Sequence, residues 1–155
     1  MTGRREGRYR APALATLDDL RHAAQRWGSG RGARSLEWAM PRIRVGAESR
    51  PESLTRLLLV ANDLPEPLAN EPTQVRAGLV LHPDLKWEHW RIVLEYEGDG
   101  HRTSRSQWQA DIRRQRDFEA AGWAVIRVTS DDLFVDPAAF IARVRDVIAR
   151  RGRSG

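Results

Sequence analysis

Two acidic positions, each at the edge of a short apolar stretch, carry most of the chemistry this sequence offers. Pro83-Asp84 is followed, after ten residues, by Glu95-Tyr96-Glu97, and Glu95 closes the run Ile92-Val93-Leu94. Carboxylates on two neighbouring strand ends build a seat for a hard divalent cation. A cation held that way can activate water against a phosphodiester. Side chains alternate along a strand, so Glu95 and Glu97 point to the same face, and the same rule puts Asp84 and Lys86 together on one face. Two such close carboxylates repel unless a cation separates them or one takes a proton. Mg²⁺, with water in its remaining octahedral positions, resolves that conflict for Asp84 and Glu95. The competing account is a pair of solvated acids at a sheet edge, which sits uneasily with the three apolar residues before Glu95.

Further candidates surround this pair. Glu52 falls in the first turn of an expected helix, where the helix dipole alone favours an acid. It is also a candidate third metal carboxylate, directly or through water. His101 lies just past the Gly98-Asp99-Gly100 turn and can accept a proton from water or contact a phosphate, or it is an ordinary exposed loop histidine. Lys86, the single lysine, can stabilise charge on a phosphorane, although a solvated strand-end charge is the favoured account. Arg102, Arg105, Arg113 and Arg116 line a backbone groove or form a solvated helix face. Asp111 and Arg114 stand at i, i+3, the spacing of a helical ion pair, and Arg114 joins the candidate phosphate contacts. Trp87 and Trp90 flank the acids; core packing is favoured over base stacking. His82 and His89 read as surface or structural residues.

These residues need elements to hold them. Residues 1–15 read as a basic tail. Thr16 caps a helix whose stripe is Leu17, Leu20, Ala24 and Trp27, ended by Gly28-Ser29-Gly30. A short helix over 33–40 stops before Pro41. A helix over 50–62 opens at Ser49 or Arg50, with Leu54, Leu57, Leu58 and Ala61 inward. Strands follow over 73–81 and 90–97, with 83–86 an extended continuation or a third short strand. A helix over 104–121, capped by Ser104 or Ser106, ends at Gly122. The strand 123–128 and a helix over 137–150, with Ile141, Val144 and Ile148 inward, complete the order, and residues 151–155 read as a disordered tail. The strand–helix–strand crossover predicts one parallel pair in a mixed sheet flanked by helices, an α/β fold.

Composition limits the alternatives. The 155 residues contain no cysteine, which removes thiolate catalysis, Cys-ligated zinc and disulfides and fits a cytoplasmic protein. No apolar run spans a bilayer, so no membrane partner is expected. Net charge runs from +6 over residues 1–50, through −5 over 51–100, to +4 over 101–155. An acidic pocket between basic flanks suits a nuclease, although the near-exclusive use of Arg is also what a GC-rich genome produces.

Several stretches, taken together, resemble the PD-(D/E)XK nucleases. They resemble most closely the small endonuclease-like domains related to the Vsr mismatch nickase. The stretches are Pro-Glu-Ser-Leu-x-Arg (51–56), Asp-x-x-Trp (84–87), Glu-Tyr-Glu-Gly-Asp-x-His (95–101), Asp-x-x-Arg (111–114) and Gly-Trp-x-Val-x-Arg-Val (122–128). The resemblance covers residues 48–150 and leaves 1–47 as a basic, helical N-terminal extension. It implies a restriction-endonuclease-like αβββαβ core and Mg²⁺-dependent hydrolysis of DNA, with Mn²⁺ as a substitute. Asp84 and Glu95 are then metal ligands, Glu52 the helix carboxylate, and Glu97 stands at the usual lysine position. The expectation is a metal held by Asp84, Glu95, the Tyr96 carbonyl and Glu52, with Glu97 or His101 assisting proton transfer. A single site nicks unless the chain forms a homodimer. The alternatives are a nuclease-fold module that binds DNA without efficient cleavage, in regulation, defence or a toxin–antitoxin system, and a protein-interaction domain.

Overall fold

The structure, a computed structural model, describes residues 15–43, 49–97 and 105–153. The chain divides into two compact units, Met1–Val45 and Gly46–Gly155. In the first, α1 (Leu17–Trp27) starts at Thr16, whose hydroxyl accepts from the Asp19 N–H while the Asp19 carboxylate accepts from the Thr16 N–H. This reciprocal cap satisfies donors that the first helical turn leaves open. α2 (Ala33–Ala39) gives way to a 3₁₀ turn over Met40–Arg42 containing Pro41, so it ends one residue earlier than expected. The apolar stripe of α1 is present, but no residue of either helix is buried.

The second unit opens with α3 (Arg50–Ala61), capped by Ser49, whose hydroxyl accepts from the Glu52 N–H. Its buried stripe is Glu52, Thr55, Arg56 and Leu59, not the expected Leu54, Leu57, Leu58 and Ala61. Three of the four are polar, and each has a partner that makes burial tolerable. Thr55 donates to the Pro51 carbonyl at 2.8 Å, Arg56 pairs with Glu66 at 2.6 Å, and Glu52 accepts from Asn70.

The strands depart from expectation before the site and agree with it at the site. β1 (Leu68–Ala69) is an additional strand of two residues. The expected single strand over 73–81 is a hairpin of β2 (Thr73–Arg76) and β3 (Leu79–Leu81), paired antiparallel in a separate sheet. Gly78, at φ +74°, supplies the left-handed turn that breaks it. β4 (Leu85–Trp87) and β5 (Ile92–Tyr96) follow, then α4 (Arg105–Ala120), β6 (Ala124–Val128), a short α5 (Ser130–Phe134) that was not anticipated, and α6 (Pro137–Gly152). α6 runs past its expected end at 150, through Arg151 to Gly152. Gly122 holds φ +81° after α4, as a C′ glycine does.

The main sheet has the order β1-β4-β5-β6. Its first two pairings are antiparallel and the β5–β6 pairing is parallel, with α4 between those two strands. This is the mixed sheet with one parallel pair. Leu85, Trp87, Ile92, Leu94, Ile126 and Val128 form one core with Leu59 of α3 and with Phe140, Ile141 and Val144 of α6. Each such side chain contributes roughly 1.5–3 kcal/mol through burial. By alternation, Lys86, Val93, Glu95, Val125 and Arg127 take the opposite face. α4 meets that face with Arg114 on Glu95 and Gln115 on Arg127. β6 lies at the end of the sheet order, and Arg143 of α6 donates to the Arg127 carbonyl and to Asp132.

Candidate functional site

The antiparallel register aligns Leu85 with Leu94, so Asp84 stands beside Glu95 at the open end of the β4–β5 pair. Asp84 accepts the Tyr96 N–H at 2.8 Å through Oδ2, and its own carbonyl accepts the Asn70 N–H at 3.1 Å. Glu95 is held side-on by Arg114: Nε to Oε2 and Nη2 to Oε1, both 2.8 Å. Nη2 of Arg114 also donates to the His82 carbonyl. On the other side, Glu52 is 5% exposed and accepts from Asn70 Nδ2 at 3.1 Å. Five segments therefore converge: the start of α3, the residue after β1, the residue before β4, the end of β5 and the middle of α4.

Asn70 is a site residue that its sequence context did not announce. It is buried, adopts φ +53°, and engages Glu52 by side chain, Asp84 by N–H and the His82 ring by carbonyl. Asn visits left-handed backbone more readily than most residues. The signal that could have found it was its place in a turn-forming Asn-Glu-Pro run.

The electrostatics are those of crowded acids. Burial above all pushes the Asp84 carboxyl up to about 7; the Tyr96 N–H opposes the rise, the charges of Glu95 and Glu52 add to it, and Arg114 opposes it. Burial alone would pull Arg114 down, but its hydrogen bonds to Glu95 and the charges of Glu95, Asp84 and Asp111 outweigh this and raise it. Asp111 therefore acts on Arg114 as a background charge, while the guanidinium is committed to Glu95.

The other candidates fall in several places. Glu97 is half-buried, and its N–H donates to the Val128 carbonyl at 2.6 Å. Tyr96 is paired with Val128 at the end of β5, which leaves its carbonyl beside the site in sequence. Lys86 is not the solvated strand-end charge expected. It is 2% exposed, and its ammonium reaches the Pro72 carbonyl at 3.2 Å and Glu88 at 2.7 Å. Its ammonium is thus engaged by a backbone carbonyl and by the exposed Glu88 carboxylate. Arg113 and Arg116 are exposed on α4, and Arg105 opens that helix. His101, Arg102 and the cap candidate Ser104 lie outside the described residues. Trp87 belongs to the core and donates to the Pro65 carbonyl, with Trp90 edge-on against it. His82 and His89 are exposed.

The donors suit Mg²⁺ or Mn²⁺ in kind: they are hard carboxylate oxygens, and burial first, then the neighbouring acids, make Asp84 resist ionisation. Among the described residues, no group of three or more His, Cys, Asp or Glu side chains stands ready to hold a metal ion. Waters, which Mg²⁺ retains readily, would have to complete the shell. Both oxygens of Glu95 already meet Arg114.

No family model matches the chain, and no solved structure matches it. The chain is similar to two proteins from different strains of Mycobacterium tuberculosis, "Uncharacterized protein MT2308" and "Uncharacterized protein Rv2248". Each is 26% identical over 157 residues, covering 94% of this chain. The chain spans 58% of the length of these relatives.

Proposed function

We propose that this chain is a metal-dependent endonuclease that hydrolyses DNA phosphodiesters and carries a PD-(D/E)XK-type core. The observation behind the proposal is the half-buried pairing of Asp84 and Glu95 at the end of β4–β5, with Glu52 close enough to raise Asp84 further. The element order supports the core assignment. α3 precedes three strands that pair antiparallel in the order β1-β4-β5, and α4 leads to the parallel β6, with the β2–β3 hairpin as an addition. A bound Mg²⁺ or Mn²⁺ would supply an activated water and charge neutralisation at the scissile phosphate. Asp84 and Glu95 would hold it, with the Tyr96 carbonyl and Glu52 as further donors. Tyr96 fixes the Asp84 carboxylate through its N–H, and Asn70 fixes Glu52. Glu97, on the Glu95 face, accepts a proton from water, with His101 as the second candidate. The exposed Arg113 and Arg116 grip the DNA backbone.

Supercoiled DNA with Mg²⁺ or Mn²⁺, run beside Glu95→Ala and a chelator control, tests this reading. Metal-dependent nicking that the variant loses is the expected result; a wild type that never cleaves in either metal overturns it. One observation favours a second reading, a DNA-binding module without efficient cleavage. Glu97 stands where the resembling nucleases carry lysine, and Glu95 is engaged by Arg114. Binding that persists in Asp84→Ala, with no cleavage by wild type, would select it. No helix among the described residues is long and apolar enough to cross a membrane.

A further inference from the structure

We infer that Arg114 is an internal counter-ion that competes with the divalent cation for Glu95 and so holds the site in a metal-poor state until the guanidinium is drawn away. The inference rests on the metal-site reading of the preceding subsection. Its basis is geometric. The guanidinium does not merely approach Glu95; it meets both carboxylate oxygens at 2.8 Å, through Nε and Nη2, in the planar fork that matches a carboxylate best. The same Nη2 reaches the His82 carbonyl, and the Arg114 head lies 5.4 Å from the Phe118 ring. The arginine thus ties α4 to the end of β5 and to the segment before β4. Its side chain is two-thirds covered, so solvent screens it only partly.

Charge supports the competition. Glu52 and Glu95 both act on Asp84 here, and Arg114 opposes them, acting on Asp84 and binding Glu95. A divalent ion chelated side-on by Glu95 must displace these hydrogen bonds, and one bound on the remaining lone pairs must still overcome repulsion from the guanidinium charge. The displaced guanidinium is suited to a phosphate oxygen, which it binds with the same fork. Arrival of a DNA backbone therefore favours release of Glu95, and by linkage the cation and the backbone strengthen each other's binding.

Mn²⁺ titration by isothermal calorimetry, without DNA, tests the inference on wild type, Arg114→Gln, Arg114→Lys and Glu95→Gln, with thermal melts of each to confirm folding. The expected result is weak Mn²⁺ binding by wild type, at least tenfold tighter binding by Arg114→Gln, and loss of binding in Glu95→Gln. Arg114→Lys keeps the charge, loses the fork, and falls between wild type and Arg114→Gln. Should Arg114→Gln not fold, tighter binding by Arg114→Lys than by wild type supports the competition equally. Unchanged or weaker binding in the folded Arg114 variants, with Glu95→Gln still impaired, overturns the competition and leaves the metal site standing. Mn²⁺ binding that ignores Glu95→Gln, or none in any variant, removes the metal site itself and the inference with it.

Discussion

Asp84→Asn removes the charge the fold tolerates least while keeping almost everything else. Asn has nearly the same volume and retains an oxygen for the Tyr96 N–H that Asp84 accepts at 2.8 Å. In the folded chain, burial first, and then Glu95 and Glu52, hold the Asp84 carboxyl at about 7 against an ordinary 3.8. For an acid, a folded value above the unfolded one means that the native state binds the extra proton between those two pH values. Stability is therefore undiminished below about pH 4, falls as pH rises towards 7, and levels off above. At about 1.4 kcal/mol per pKa unit, the ionised carboxylate costs the fold on the order of 4 kcal/mol at pH 8. Asp84→Asn should recover much of this, raising the melting temperature by roughly 10 °C at pH 8. At pH 4 wild type and variant should melt together. Melts followed by circular dichroism at pH 4, 6 and 8 in chelator provide the comparison. A variant that melts at or below wild type at pH 8, or an offset that ignores pH, would refute the argument that crowding and burial strain this carboxylate. A large excess of Mg²⁺ at pH 8 should stabilise wild type only modestly, because Arg114 opposes it, and leave Asp84→Asn unmoved.

Asn70→Gly keeps the left-handed backbone and deletes a donor to buried Glu52, so denaturant unfolding should show a loss of roughly 1–3 kcal/mol; Asn70→Ala should lose more, because its Cβ resists that backbone. Replacing Arg113 and Arg116 together with Gln should make the salt dependence of DNA binding shallower by roughly 0.9 for each phosphate no longer neutralised. An unchanged slope in fluorescence anisotropy would put the DNA path elsewhere. Lys86→Met should leave DNA affinity alone and lower stability by roughly 1–3 kcal/mol, since Glu88 and the Pro72 carbonyl lose a charged donor; a fall in affinity without a fall in stability would contradict its burial.

What the sequence made legible follows from the strength of local signals. Thr16 was readable as a cap because a hydroxyl before a helical stripe has one good use, and it caps as expected; of the two openings offered for α3, Ser49 or Arg50, Ser49 is the cap. The apolar run Ile92-Val93-Leu94 marked the strand expected over 90–97, and all three are buried. Asp84 and Glu95 were readable as neighbours because a short turn between two strands leaves little choice of partner. β1 was not legible, since two residues have no period, and its pairing with β4 is a tertiary event. The hairpin at 73–81 could have been found, because Gly78 interrupts the run. The α3 stripe differs from expectation for a more instructive reason. Leucines at 54, 57 and 58 outrank Glu52, Thr55 and Arg56 in hydrophobicity, and only partners far along the chain, Glu66 and Asn70, make the polar face the buried one. Lys86 misled in the same way, because its burial depends on Pro72, fourteen residues earlier.

The Arg143 contact with the Arg127 carbonyl bears on how the molecule behaves in a crowd. β6 ends the sheet, and the backbone groups it turns away from β5 are a template on which any extended chain can add itself. Val128 directs its carbonyl inward to Glu97, while Arg127, one residue earlier, directs its own outward, where the Arg143 guanidinium meets it and is anchored by Asp132. A docking strand would have to displace a charged, tethered side chain before it could pair with the Arg127 carbonyl. Self-association through this edge is thereby discouraged without shortening the strand, and β6 can stay long enough to align fully with β5 and hold Glu95 in register with Arg127.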